Sequence, residues 1–356
     1  MKISIVGCGR ISHKYLTHLQ AFPQIEVASC FDVNKGNALD VSRKFNIPMA
    51  ASLGESIQDP SVDVIVNLTP PIVHSEISQA GFESRKHVYT EKPLDVSRES
   101  ALRLIELADQ AERRLVSAPC QFLGSALQMA RKIIHSGKIG RPTAATAFVM
   151  NRGHEATNPE PQQYYRASGG GPLFNRAPYY IGALSWLLGP VDYVVGLGNQ
   201  GNPERTIGVG PQKGMVLRAK VNTHEASLIR FSSDVVASLV TSFDVLKTEV
   251  PVLEIYGSEG TLSLPDPTKY NAPLRISSSG GAWEDIQVPR GPIDGEAAGL
   301  VELADAMKDR RQHRCHADFA YHVLDTMFAI QESSSGRIGV AVTSTYRRPE
   351  PMDASV

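Results

Sequence analysis

The stretch "YTEKPLDV" (89–96) sets a lysine where an apolar strand gives out. Pro93 has no backbone N–H and a fixed φ, so no strand ladder continues past it. It also pushes Lys92 towards an extended conformation. A lysine held that stiffly can polarise an oxygen on which negative charge develops, and it can tune the acidity of a neighbouring group. Two other loops carry ligand-binding chemistry. "GCGRIS" (7–12) follows an apolar run and opens a helical pattern. Gly7 permits a tight turn there, and Gly9 lets backbone approach a pyrophosphate seated on the helix start at Arg10 and Ile11. Ser12 stands at the third glycine position of that fingerprint. Asp32 ends the next apolar run, roughly twenty residues on, as a ribose-binding carboxylate does. An acid there favours NAD, while Lys35 nearby leaves NADP open. "TPPIVH" (69–74) is the third loop.

These loops need elements to hold them. Short β-branched runs at 3–6, 25–31, 62–68, 87–90 and 114–118 alternate with amphipathic patterns such as "SALRLIELADQAERR" (100–114). That alternation predicts βαβ crossovers and an α/β, doubly wound parallel sheet. With "TPPIVH" after its fourth strand and "EKP" after its fifth, the three loops line one crevice, and Lys92 stands over the nicotinamide end of a dinucleotide. From about residue 121 the pattern changes. A helix (124–137) and a strand (143–150) precede a helical block (173–188), and strands follow at 193–198, 214–221, 226–231, 235–245, 252–257 and 261–264. Helices at 295–309 and 317–332 and a polar tail at 346–356 close the chain. The prediction is a Rossmann domain over 1–120 and an α+β domain over 121–356 with a large, open, mostly antiparallel sheet. Since no flexible linker separates them, the cleft between them is the expected site.

Composition narrows the partners. The 356 residues are 42% hydrophobic, as in an ordinary globular protein, and their net charge of -1 argues against nucleic acid or an anionic membrane surface as a main partner. The opening "MKISIVGCGR" reads as a strand, and Cys8, Cys30, Cys120 and Cys315 lack CxxC spacing, so a reduced, cytoplasmic setting is expected. "HRCH" (313–316) has three ligand-type side chains but no second pair at zinc spacing, and is not read as a metal site.

"GCGRIS", "TPPIVH", "EKP" and "GGGPLFNRAPYYIGALSWLLG" (169–189) resemble the glucose–fructose oxidoreductase/inositol dehydrogenase (Gfo/Idh/MocA) family. The likeness extends through "GKIGRP" (137–142), "IYGSEGTLSLPDP" (255–267) and "AYHVLDTMFAIQESSSG" (320–336). It implies the two-domain fold above and NAD(P)-linked oxidation or reduction of a sugar or polyol carbon. The three loops and the end of the second run make Gly7, Gly9, Arg10, Ile11, Asp32, Thr69, Pro70, Glu91 and Lys92 the cofactor contacts, and the resemblance adds His74.

Where the family carries an aspartate and, four residues on, a histidine, this chain has Asn175 and Tyr179. One helical turn apart, both can face one cleft. Tyr179 is the candidate acid/base if a neighbouring cation lowers a phenol pKa of about 10, with Lys92 as that cation and as the polarising group. Asn175 then orients the substrate. Asn175 as a helix N-cap, with Pro178 in the first turn, stays open beside that role. One of Tyr179 and Tyr180 is expected in the core, its hydroxyl on a backbone group. The long polar loop 151–171 supplies His154, Asn158, Tyr165 and Arg166 as candidate substrate contacts, and His224 either reaches the substrate or packs. The leading reading is a homodimeric or homotetrameric NAD-dependent oxidoreductase acting on a sugar, sugar derivative or cyclitol. Beside it stand a non-catalytic dinucleotide or sugar sensor, and redox-assisted glycoside cleavage or epimerisation with retained NAD.

Overall fold

The computed structural model describes residues 1–352, so the last four residues of the expected tail lie outside it. The chain forms two compact units: 1–124 with 291–321 and the segment from 349 onward, and 125–290 with 322–348.

In the first unit the alternation gives β1 (Lys2–Val6), α1 (Arg10–Leu19), β2 (Glu26–Phe31), α2 (Lys35–Phe45), α3 (Leu53–Gln58), β3 (Val64–Asn67), α4 (His74–Glu83), β4 (His87–Thr90), α5 (Arg98–Gln110) and β5 (Leu115–Ser117). Helix starts fall where short polar side chains cap them: Asn34 accepts from Gly36 N–H, Ser52 from Glu55 N–H and Ser97 from Ser100 N–H. The strands form one parallel sheet in the order β2-β1-β3-β4-β5. β3 is buried along its whole length, as a strand covered on both faces must be. The run 62–68 is thus the third strand, not the fourth, because two capped helices fill the chain between it and β2. The geometry that mattered survives this renumbering. β3 lies beside β1 with β4 next to it, so the loops after all three leave the same rim.

The second unit begins with α6 (Ser125–His135), β6 (Pro142–Met150) and α7 (Gly171–Leu188). Then come β7 (Val191–Asn199), β8 (Glu204–Thr206), β9 (Val216–Arg218), β10 (His224–Phe231), β11 (Val236–Ser242), β12 (Leu253–Gly257), β13 (Gly260–Leu264), β14 (Leu274–Ser278) and β15 (Glu284–Ile286). A nine-stranded sheet forms, antiparallel except where β6 runs parallel to β11. The strand foreseen at 214–221 shortens to β9 and leaves this sheet for a two-stranded ribbon with β8. α7 packs on the sheet with fifteen of its eighteen residues buried.

After β15 the chain does not stay in the second unit, as a boundary at 120/121 requires. α8 (Ala298–Lys308) belongs to the first, its Leu300, Val301 and Leu303 fully buried. His18 accepts from Ala297 N–H, and Lys14 pairs with Glu296. His316 makes a backbone bridge to Val116, covering part of the edge strand β5. α9 (Ala317–Gly336) begins in the first unit and ends in the second, and β16 (Val340–Ala341) adds an edge strand beside β7. The polar tail is tied down at its start: Tyr346 is buried and donates to the Ser185 carbonyl at 2.8 Å.

Candidate functional site

The first unit builds a nucleotide cradle. Gly7 has φ +98, and a Cβ there would sit 2.6 Å from the Leu68 carbonyl carbon, so only glycine lets the loop close against the end of β3. Gly9, at φ -76, is the N-cap of α1 with no side-chain cap, and a Cβ on it meets nothing within 4 Å. An uncapped helix start facing open space is what a pyrophosphate needs. Ser12, at the third glycine position, is fully buried and donates to the Gly9 carbonyl at 2.6 Å, so it braces the turn. Asp32 accepts from Cys8 N–H at 2.8 Å and from Asn34 N–H at 2.7 Å. Each oxygen keeps a second lone pair for a ribose hydroxyl. The cap of α2 is Asn34, so Asp32 is not spent as a helix cap. The residues fit a dinucleotide.

The lysine loop is locked from three sides. Tyr15 on α1 donates to Glu91 Oε1 at 2.6 Å, tying the glycine-loop helix to the lysine loop. Glu91 Oε2 accepts the Lys92 backbone N–H at 3.0 Å, and the Lys92–Pro93 peptide is cis. Asp95 accepts from Val96 N–H, Ser97 N–H and the Ser75 hydroxyl on α4. His74 corrects its expected role. It is fully buried, with Nδ1 2.8 Å from the Pro93 carbonyl and Nε2 2.9 Å from the Thr69 carbonyl. Its ring is a strut between two loops rather than a cofactor ligand. Burial pushes its pKa down, while the two carbonyls pull the other way. Enclosure wins, so the ring is neutral and only one of the two contacts carries a proton at a time. Thr69 donates to Asn67 Oδ1 at 2.6 Å and Asn67 donates to the His74 carbonyl, which completes the strut.

The second unit offers one polar stripe. Asn175, Arg176 and Tyr179 are the only residues of α7 that are not buried. Asn175 is not an N-cap: the helix starts at Gly171 after Gly170, with Pro172 filling the early position that proline tolerates. Pro178 lies inside the helix rather than in its first turn. Tyr180, not Tyr179, is the core tyrosine, and its hydroxyl faces the side chains of Asp266 and Arg176 instead of a backbone group. Arg176, unremarked in the sequence, pairs with Asp266 at 2.8 Å and lies 5.6 Å over the Tyr179 ring. Its offset, one residue past Asn175 and three before Tyr179, was the available signal.

The 151–171 loop divides. His154 joins the stripe, with Nε2 3.0 Å from Asn175 Oδ1, its ring stacked on Tyr164 at 3.9 Å and edge-on to Phe243 at 5.1 Å. Tyr165 is a core residue at 1% exposure, not a substrate contact; it donates to Glu155 and accepts His154 N–H at 3.1 Å. Asn158 is buried as well and serves the local turn, accepting Glu160 N–H at 2.9 Å. Beneath the loop lies a buried ionic cluster that sequence reasoning missed. Arg205, 2% exposed, bridges Glu155 and Asp244 and donates to the Phe243 carbonyl. Arg166 is half-buried, its Nε enclosed without a hydrogen-bond partner. His224 opens β10 with Nδ1 3.1 Å from the Ser242 hydroxyl.

Comparison with known proteins agrees with this geometry. The model of the oxidoreductase family with an NAD-binding Rossmann fold (GFO_IDH_MocA) matches residues 1–118. The GFO/IDH/MocA C-terminal domain model matches 127–263. Myo-inositol 2-dehydrogenase of Thermotoga maritima is 26% identical over 171 residues, which cover 48% of this chain and about half (50%) of that relative. 1,5-anhydro-D-fructose reductase of Ensifer adhaerens is 26% identical over 290 residues, 80% of this chain and 81% of the relative. In fold, the chain resembles the crystal structure of an NAD binding oxidoreductase from Klebsiella pneumoniae, with TM-score 0.84 and 19% identity, covering 97% of this chain and 99% of that one. Two family models spanning most of its length decide the matter: the chain belongs to the Gfo/Idh/MocA oxidoreductases and opens with their NAD-binding Rossmann domain.

Proposed function

We propose that this protein is an NAD-linked oxidoreductase that moves hydride between nicotinamide and a hydroxyl or keto carbon of a sugar, sugar derivative or cyclitol. The observation that carries the reading is the lock on Lys92. Three independent attachments, through Tyr15–Glu91, His74–Pro93 and Asp95–Ser75, hold its loop on the rim that also carries the glycine turn. A surface lysine needs no such scaffold. The carbohydrate class rests on the family and on the inositol and anhydrofructose relatives. Gly7, Gly9, Arg10, Ile11, Asp32, Thr69 and Pro70 would hold the dinucleotide, whose bound nicotinamide accepts or returns the hydride.

The residues divide the remaining work. In the oxidative direction the substrate C–H leaves as hydride, the O–H proton goes to Tyr179, and the C=O bond forms. Lys92 hydrogen-bonds that oxygen and stabilises the charge it gathers. Arg176, over the Tyr179 ring, sets a cation beside the group that must accept the proton. Asn175 and His154 take neighbouring hydroxyls, and Arg166 a ring oxygen or hydroxyl. A homo-oligomer is proposed with it, because one face of the nine-stranded sheet leaves Val195, Leu197 and Leu228 more than 40% exposed. Light scattering measures that state. No helix among the described residues is long and apolar enough to cross a membrane, and the four cysteines are buried and free; a cytoplasmic setting is proposed on those grounds.

The test is NAD reduction over a panel of sugars, polyols and cyclitols. At least one member should be oxidised with free NADH released. Lys92→Ala should lower turnover by about 10²-fold or more while NADH still binds. Full turnover by Lys92→Ala would overturn the assignment.

A further inference from the structure

The first unit has a charged cavity on the rim opposite the cofactor loops. The glycine turn, Thr69 and Lys92 follow the C-terminal ends of β1, β3 and β4. The cavity instead lies where α5 runs into the N-terminal end of β5 and where residues 310–318 lead into α9. It encloses about 400 Å³ and is lined by Arg113, Arg114, Arg310, Arg311, His313 and His316. Both histidines come from the "HRCH" stretch, which the proposed reaction leaves unused.

The cations differ in their commitments. Arg311 is paired with Glu302, a buried carboxylate on α8. Arg113 donates to the carbonyls of Arg85 and Glu112 at 2.6 and 3.0 Å. Arg310 is exposed at the cavity edge. Arg114 is the odd one: its Nη1 is buried and has no hydrogen-bond partner. A charged donor enclosed without an acceptor is among the costliest groups a fold can leave unmade. Asp109 and Asp318 also line the cavity and are exposed, offsetting two guanidinium charges. Even with Arg311 set against Glu302, which Arg314 shares, cations lining the cavity outnumber carboxylates.

The histidines report the same field. Burial first, then the charges of Arg113 and Arg114, push His87 down to about 4. Burial and the neighbouring His316 push His313 down to about 3, and its Nε2 lies 3.2 Å from the Leu115 carbonyl. His87 and His313 are thus neutral at pH 7, and the cavity's fixed positive charge is guanidinium charge. Planar, forked donors match the oxygens of a phosphate, and Ala317 and Asp318 of the first turn of the twenty-residue α9 line the same cavity. A metal cation would be repelled.

We propose that this cavity binds a small phosphate-bearing anion, inorganic phosphate or a phosphate monoester, with Arg114 as the central donor and Arg113 and Arg310 supplying charge around it. The site is separate from the nucleotide cradle and does not depend on the reaction proposed above.

The experiment uses the full chain saturated with NAD, so that phosphate cannot occupy the glycine turn. Inorganic phosphate is titrated calorimetrically at constant ionic strength. A single site is expected, and Arg114→Gln and Arg310→Gln should each weaken it by about tenfold or more with NAD affinity unchanged. Arg310 is exposed, so its variant decides the matter even if Arg114→Gln folds poorly. An absence of heat up to about 10 mM phosphate, or binding that survives both substitutions, would overturn the proposal.

Discussion

Replacing Gly9 with alanine challenges the cofactor loop while leaving the fold beneath it alone. Gly9 has φ -76 and ψ -170, a conformation open to any L residue, and its added Cβ would meet no heavy atom within 4 Å. Glycine-to-alanine changes at such positions stabilise by about 0.4–1 kcal/mol through the unfolded chain. Alanine as an N-cap costs about as much relative to glycine. The two offset, so the urea midpoint should move by no more than about 0.5 kcal/mol equivalent. The bound nucleotide is where the methyl would be felt. Forcing it aside costs about 1–3 kcal/mol, or about 5- to 150-fold in Kd for NADH, read by fluorescence titration. Gly7→Ala is the mirror experiment. Its φ of +98 and the contact of 2.6 Å with Leu68 backbone set a left-handed penalty on top of an overlap that no side chain can relieve. The sum is about 2–5 kcal/mol of lost stability. Should Gly9→Ala bind NADH like the unaltered protein, the reading of that open space as a pyrophosphate cradle fails. An unshifted Gly7→Ala melt would refute the strand-end packing.

Tyr179→Phe should lower kcat by about 10²-fold or more with little change in NADH affinity; retained turnover would move the acid/base role elsewhere. Glu225, on β10, gives a pH test: burial lifts its carboxyl to about 7 from an ordinary 4.5, against opposing hydrogen bonds from Ser334 and Asn222. Between those values the folded chain holds a proton that the unfolded chain has lost, so stability falls as pH rises through the window, by about 3 kcal/mol at its upper end. Glu225→Gln should therefore gain on the unaltered protein from pH 4.5 to 7 and hold a constant difference above; a pH-independent difference in urea midpoints counts against the argument. Arg205→Met strands the buried Glu155 and the partly buried Asp244 without their cation, which should cost about 3 kcal/mol, raise the substrate KM through the loop that carries His154, and leave NADH binding intact.

What could be read from the sequence was what short-range rules decide. Pro93, Gly7 and the period of the β-branched runs fixed the loops and the parallel sheet, because each acts on its own few residues. The misreadings of Tyr165, His74 and the domain boundary depend on closure between distant segments. Tyr165 looked like a site residue because it is an aromatic in a polar loop, yet its burial comes from Phe243 and Arg205, segments that the loop itself does not announce. The family resemblance made His74 a cofactor contact, but both ring nitrogens end on carbonyls, one of them nineteen residues away. The reach of α8 back to the first unit has no local signature either; it depends on apolar faces being complementary in space.

Asn175 is where the departure from the family pattern and the geometry meet. An aspartate beside an imidazole would accept only, and would draw the ring towards its cationic form. The amide behaves otherwise. With its Oδ1 taken by His154 Nε2 at 3.0 Å, the proton on that bond sits on the imidazole and the amide nitrogen turns away as a donor. The stack on Tyr164 and the edge contact with Phe243 hold the ring in that orientation. The histidine thus returns from a different segment, but as a brace for an amide that cannot exchange protons. On α7 that leaves Tyr179 as the partly exposed side chain able to carry a proton, with a guanidinium already over its ring. On the reaction proposed above, the loss of the family's aspartate and histidine redistributes the work across the stripe: Asn175 would recognise the substrate, and Tyr179 would exchange the proton.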